Sequence, residues 1–369
     1  MKIGIDIRTA SGEKAGKGWY TFHLVYNLLK VDKRNQYFLY TNIGIPGFEQ
    51  FPNAQQRVIG GKGIFWHVGA SRDVKREGIE VFFAPTSYII PALLPRAVKT
   101  IVTVHDLVAF LFRGTHNKKA VLVEKLFFKK MLKKTRFLLA VSENTKRDII
   151  NKFHYEEDKI GVVYPSADDD FKPVEKDSLK EFIESTKLPE KFFLAVGTLE
   201  PRKNYPNLIK GFYEFLKNNK DYHLIIVGKK GWKFEGIYKL IEELKLKNHV
   251  HILGYLSGKS IMNLYSLAEA LVFPSIYEGF GIPPLEAMKC GCPVIVSNTS
   301  SVPEVVGDAG LYINPKNPAS IAGVLTKLVS NKDLREKLIA QGFAQSKKFS
   351  WTLSAKKLLD ILRLVKKMP

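Results

Sequence analysis

Residues 270–297 read ALVFPSIYEGFGIPPLEAMKCGCPVIVS. "ALVFPS" (270–275) is a short, continuous apolar run, and "PVIVS" (293–297) is another. Continuous rather than alternating apolar runs predict strands covered on both faces. Between them, "IYEGFG" reads as a turn, and either Pro283 or Pro284 can open a helix, because proline fits the first helical turn. That helix is expected to end near Gly291. Strand, turn, helix and strand make a parallel unit with a right-handed crossover, which places the chain in the α/β class.

The same pattern recurs outward. "KIGIDI" (2–7), "QYFLYT" (36–41), "VFFAP" (81–85), "TIVTVHD" (100–106) and "FLLAVS" (137–142) form one series of strands. "FFLAVG" (192–197), "YHLIIVG" (222–228) and "VHILGY" (250–255) lead into the quoted stretch as a second series. The polar, turn-rich "VVYPSADDDFKPVEKDS" (162–178) between them reads as a linker. We therefore expect two doubly wound, Rossmann-like domains over 1–170 and 171–350. The amphipathic segment 351–369 is assigned as a helix packing back on the first.

Composition narrows the function. Lys plus Arg number 57 against 36 Asp plus Glu, a formal charge of +21 spread over both halves. Such a balance favours anionic partners: phosphates, nucleic acid or an acidic membrane surface. Two cysteines, Cys290 and Cys292, cannot build a disulfide framework, which suits a reducing compartment. Met1 leads directly into a strand-like run, and no apolar stretch approaches the roughly 18 residues of a membrane span. A cytoplasmic location is expected.

In doubly wound folds ligands collect beyond the carboxyl ends of the strands. "VGTLEPRKN" (196–204) lies at one such end, and its Arg202 and Lys203 suit a diphosphate, one as a planar fork and one as a point charge. A solvated basic loop would look the same in isolation. The turn 276–281 lies at another end. Glu278 stands at its mouth, and Glu286, with seven residues between them, stands about one turn inside the helix. Gly279 and Gly281 let a ligand approach the backbone, and the helix start offers unpaired N–H groups to an anion. Both carboxylates are expected to face one crevice and to accept hydrogen bonds from sugar or ribose hydroxyls. Simple helix-dipole complementarity is the competing account.

"PSIYEGFGIPPLEAM" resembles the glutamate–seven residues–glutamate signature of the retaining family 4 glycosyltransferases. "VGTLEPRKNYPNLIKGF" is similar to their phosphate-binding segment, and "SNTSSVPEVVGDAGLYINP" (297–315) to the block that follows. The resemblance covers nearly the whole chain and implies the GT-B fold, two Rossmann-like domains facing a central cleft. It implies that Glu278 lies near the donor sugar hydroxyls, that Glu286 binds the ribose, and that Arg202 and Lys203 hold the diphosphate. It also places Thr198, Gly279, Phe280, Gly281 and Ile282 at the donor. Many members carry arginine where this chain has Thr198, which shifts charge load to Arg202.

In the first half, Gly16 and Gly18 are read as a loop preceding a helix, a weak phosphate-loop signal by itself. The resemblance brings one or the other near the diphosphate or the acceptor. "TVHDLVAF" (103–110) ends a strand in His105 and Asp106; the resemblance gives His105 contact with the transferred sugar, as in mannosyltransferase-like members. Asp106 would orient that imidazole or face the acceptor. The run 113–136 carries nine basic residues, Arg113, Lys118, Lys119, Lys125, Lys129, Lys130, Lys133, Lys134 and Arg136, against Glu124. It fits a helix on anionic lipid and equally an ordinary surface helix. "DDD" (168–170), "CGC" (290–292) and the pair His249 and His251 are given no metal, and "SENTK" (142–146) reads as a helix cap led by Ser142 or Asn144.

The function expected is a metal-independent, retaining hexosyltransferase that uses a GDP- or UDP-linked sugar, with a lean to GDP-mannose. The acceptor is a hydroxyl of a glycan or lipid-linked glycan, at the inner face of the plasma membrane if 113–136 binds lipid. No cofactor beyond the donor and no nucleic acid partner is expected. The alternatives are a basic nucleic-acid-binding protein and a sugar-nucleotide epimerase or phosphorylase of the same two-domain form.

Overall fold

The computed structural model describes residues 1–12, 16–112 and 118–369, with the side chains of 118–124 and Lys176 also outside the description. The chain divides into two compact units, Met1–Pro165 with Ser350–Pro369, and Ser166–Phe349.

The first unit holds β1 (Lys2–Asp6), β2 (Gln36–Thr41), β3 (Ala54–Val58), β4 (Val81–Ala84), β5 (Lys99–Val104), β6 (Phe137–Ala140) and β7 (Ile160–Val162). They form one sheet in the order β3-β2-β1-β4-β5-β6-β7, and every pairing is parallel. The second unit holds β8 (Phe192–Val196), β9 (His223–Val227), β10 (Val250–Gly254), β11 (Ala270–Phe273), β12 (Val294–Ser297) and β13 (Gly310–Ile313). Its sheet, again all parallel, runs β10-β9-β8-β11-β12-β13. Parallel neighbours demand crossovers, and helices supply them on both faces, which is why the inner strands are apolar throughout. In the first sheet Ile3, Ile5, Val81, Phe82, Phe83, Ile101 and Val102 are wholly buried. In the second, Phe193, Leu194, Ile226, Leu271 and Val272 are equally enclosed.

Both sheets reverse their order at the first strand of the unit: β1 lies between β2 and β4, and β8 between β9 and β11. Those reversals are where crevices open beyond the strand ends. Close packing of backbone sets one of them. A Cβ on Gly228, just after β9, would land on the carbonyl of Gly197, just after β8; only glycine lets the two loops lie this close.

The helix Trp351–Lys367 belongs to the first unit. Ser350 caps it, its Oγ accepting from the Leu353 N–H at 3.2 Å. Its buried face of Trp351, Ala355, Leu358, Leu362 and Val365 packs on the helix Gly16–Val31 and over β4 and β5.

Candidate active site

The site in the second unit is built from the loops that follow β8 and β11, neighbouring strands in the sheet. After β8 comes Gly197 at φ +151°, then exposed Thr198 and a short 3-10 turn, Pro201–Lys203. Asn204 follows in the left-handed region, φ 61°, and opens the helix Tyr205–Leu216. Its amide donates to the carbonyls of Pro274 at 3.1 Å and Pro315 at 2.6 Å, tying this loop to the end of β11. Tyr205 donates to the Gly197 carbonyl at 2.6 Å.

After β11 the turn runs to Gly281, at φ +114°, and the helix Ile282–Lys289 begins with Pro283 in its first turn. Two serines hold that turn from outside. Ser300 and Ser301 both donate to the Glu278 carbonyl, at 2.6 and 2.9 Å, and Ser301 also donates to that of Phe280 at 2.7 Å. Buried Phe280 sits edge-on to Phe349, ring centres 5.6 Å apart. Half-buried Gly279 and Ile282 flank it.

Here the charges converge. Lys203, only 9 % exposed, donates to Glu278 Oε1 at 2.6 Å, its ammonium 4.8 Å from the Phe273 ring centre. The stem crosses Gly197, where an added Cβ would lie 3.0 Å from Lys203 Cε. Arg202 Nη1 lies 2.5 Å from Glu278 Oε2 and donates to the Tyr277 carbonyl at 2.8 Å, while Nη2 pairs with Glu200 at 2.6 Å. Burial works against every one of these charges. For Glu278 the two cations, Lys203 before Arg202, outweigh it and hold the carboxyl below its usual range. For Arg202, Glu278 and Glu200 outweigh it and raise the guanidinium pKa. Lys203 is pulled down, by burial first and by Arg202 beside it, against the pull of Glu278.

Glu278 is the counter-anion of Lys203 and Arg202. Two buried cations without an anion would be too costly, so the nearest carboxylate closes on them. The two glutamates also differ in setting. Glu286 accepts from Tyr265 at 3.0 Å rather than joining the cation cluster. Burial pushes its carboxyl up to about 7, the Tyr265 bond opposing and Asp168 adding to the rise. An unfolded chain gives up this proton near 4.5. Between those values the folded protein binds the extra proton, so stability falls as pH rises. Relative to Glu286→Gln, wild type is expected to lose on the order of 2 kcal/mol between pH 5 and 8, discounted for partial exposure. Urea unfolding at both pH values measures it.

The remaining candidates lie in the first unit. His105 follows β5, its Nε2 2.8 Å from the Pro85 carbonyl and its ring 4.6 Å from that of Tyr20. Burial, then Lys17, lowers its pKa to about 4, so the imidazole is neutral at pH 7. Asp106 Oδ1 accepts from the Val108 N–H at 3.0 Å, just ahead of the short helix Val108–Leu111, and acts on the His105 imidazole through its charge. Gly16 and Gly18 do not precede a helix. The helix starts at Gly16 and takes in both, Gly18 being buried; residues 13–15 of that loop lie outside the described residues. Glycine is tolerated there because first-turn N–H groups lack helical partners in any case.

In the basic run, 113–117 lie outside the described residues. The helix Lys118–Leu132 turns Phe128 and Met131 fully into the core, and half-buried Lys134 donates to the carbonyls of Ala92 and Leu94, which ties its ammonium to the protein. Leu126, Lys129, Lys130 and Lys133 are exposed. Elsewhere, Asp169 pairs with Lys289 at 3.1 Å, Ser142 caps its helix, and both cysteines are buried thiols. His223 joins His249 and His251 in a stack, which the sequence did not suggest. Among the described residues no group of three or more His, Cys, Asp or Glu is placed to hold a metal, and no helix is long and apolar enough to cross a membrane.

Sequence reasoning missed Tyr265, Glu200, Asn204 and the two serines. "SNTSS" after β12 was the one available signal, since paired hydroxyls at a strand end suit a backbone clamp.

Comparisons with known proteins bear on this geometry. The family described as "Glycosyl transferases group 1" matches residues 177–345, and "Glycosyltransferase Family 4" matches 37–171. "O-antigen chain mannosyltransferase B" of Escherichia coli is 33% identical over 76% of this chain and 74% of that protein. "Serotype-specific mannosyltransferase WbdA" of Escherichia coli is 31% identical over 70% of this chain, which spans only 32% of that longer protein. Among solved structures, Anabaena HepE in complex with UDP-glucose superposes with a TM-score of 0.78 at 16% identity, covering 98% of this chain and 99% of that one. The chain belongs to the family 4 glycosyltransferases, as a mannosyltransferase-like member with the GT-B fold.

Proposed function

We propose that the protein transfers mannose from GDP-mannose to a hydroxyl of a glycan or lipid-linked glycan, with retention and without a metal ion. The observation that carries this reading is the buried triad of Lys203, Arg202 and Glu278 at the ends of two adjacent strands. Departure of a nucleoside diphosphate builds negative charge, and fixed cations in a water-poor site stabilise it most. Lys203 and Arg202 take the diphosphate beside Thr198 and the Gly279–Ile282 turn. Glu278, released in part from the cations, then accepts from donor-sugar hydroxyls, and Glu286 accepts from the ribose. His105, neutral, contacts the transferred sugar, and Gly16 or Gly18 meets the acceptor side. Relatives that are mannosyltransferases support the sugar; the HepE complex supports a nucleotide-linked donor.

The same reading puts the protein in the cytoplasm, at an anionic membrane face through exposed Leu126 with Lys129, Lys130 and Lys133; co-sedimentation with anionic against neutral vesicles tests that part. The decisive experiment is a panel of sugar nucleotides, with product stereochemistry followed by NMR in EDTA. GDP-mannose is expected to be consumed with an α-mannoside formed. Inversion, a stop in EDTA, or isomerised donor with no new glycoside would each remove the corresponding claim, the last in favour of an epimerase.

A further inference from the structure

The carboxyl edge of the first sheet carries a second built arrangement that the reading above leaves unused. Arg8 stands two residues beyond β1. Its guanidinium carbon lies 4.3 Å from the ring centre of Trp66, and Nη1 meets His67 Nε2 at 3.1 Å. Both rings come from the helix Ile64–Arg76 and both are buried, Trp66 at 1 % and His67 at 4 % exposure. Burial first, and Arg8 second, lower the His67 pKa to about 4, so the imidazole is neutral at pH 7. Neutral Nε2 must then accept from Arg8, which leaves the proton on Nδ1, a buried position with no partner. Asp6 accepts only the Arg8 backbone N–H, at 3.1 Å, and its second oxygen is also buried without a partner.

The arrangement is unusual for a half-buried arginine. Among the described residues no carboxylate lies within ion-pair distance of the guanidinium. It is steered by an aromatic face and a neutral ring, and Asp6 attracts it through space without pairing with it. A guanidinium so placed keeps donors for a planar oxyanion. Nearby, the hydroxyl of Thr9 bonds those of Thr21 at 2.9 Å and Thr86 at 3.2 Å. Thr86 adjoins Pro85, whose carbonyl holds His105. Arg8, Thr86 and His105 thus stand at the ends of β1, β4 and β5, three consecutive strands of the sheet.

We propose that Arg8 is an anion seat for the acceptor, positioned by Trp66 and His67, so that the acceptor carries a phosphate or carboxylate close to the hydroxyl that receives the sugar. This rests on the reading that the first unit receives the acceptor. The test is titration of the full chain with inorganic phosphate and with methyl phosphate, GDP being present to fill the diphosphate seat. Heat and tryptophan emission are both recorded. Saturable binding is expected in wild type, at least tenfold weaker in Arg8→Gln and intermediate in Arg8→Lys, which keeps the charge and loses the fork. Trp66→Phe should abolish the emission change. If Arg8→Gln melts, Arg8→Lys alone decides. Tighter methyl phosphate than inorganic phosphate assigns the seat to a phosphate ester; the reverse assigns it to free phosphate and overturns the acceptor role. Equal affinity in wild type and both variants, or no binding in wild type, also overturns it. With a turnover assay, Arg8→Gln should raise the acceptor KM at least tenfold while the donor KM stays within twofold; a rise in the donor KM instead sinks the proposal. Should no sugar nucleotide be turned over, the functional reading fails while the phosphate titration still answers for Arg8.

Discussion

Lys203→Met is expected to lower kcat/KM for sugar transfer about 100- to 1,000-fold, as loss of one preorganised charge at a reacting centre does. Methionine keeps most of the stem that crosses Gly197 and packs near Phe273. Glu278 keeps Arg202 as partner at 2.5 Å, so the fold should survive and the loss will fall on turnover. Arginine is no substitute, because its wider, planar head must enter a buried slot whose lysine stem crosses Gly197 so closely that even an added Cβ there would lie 3.0 Å from Lys203 Cε. Steady-state kinetics with saturating acceptor, alongside a melting curve, reads both. Retention of more than a tenth of wild-type activity would remove Lys203 from the diphosphate.

Glu278→Gln should damage stability as well as activity. Arg202 would still hold Glu200 and the Tyr277 carbonyl. Lys203 would be left buried without its ion-pair partner, only Glu200 attracting it from farther off, and stranding one partner of such a pair costs about 3–5 kcal/mol. Urea unfolding at pH 7 measures this. Adding Lys203→Met to Glu278→Gln should recover much of the stability and none of the transfer, which separates the two roles of the glutamate. The pH dependence has a definite sign. Glu278 is held below its ordinary 4.5, so its contribution is present above that value and is lost as pH falls through the folded pKa. Wild type should therefore lose stability on acidification more steeply than Glu278→Gln.

The inner strands were legible because two covered faces demand unbroken apolar runs. The strands that escaped sequence reading, β3, β7 and β13, all lie at sheet edges. β3 is AQQRV, largely polar because it is covered less completely, and β7 is only three residues long. At the site, the residue types and their strand-end loops could be read from the chain. Their mutual arrangement could not. β8 and β11 are neighbours although two strands separate them in sequence, and pairing of Lys203 with Glu278 spans 75 residues. The bond from Tyr265 to Glu286, and that between Arg8 and His67, leave no spacing signal at all. Buried polar groups find partners by proximity in the fold, which periodicity does not encode.

The helix Trp351–Lys367 has a consequence for synthesis. A ribosome delivers residues 1–165 first, yet the unit they form is finished last, because Leu358, Leu362 and Val365 belong to its core. The continuous unit, 166–349, can close earlier. At ordinary elongation rates the nascent amino-terminal half waits roughly 10–40 seconds with the greasy flank of its first helix bare. In that interval it is a natural client for holdase chaperones, and trimming the tail would make the wait permanent.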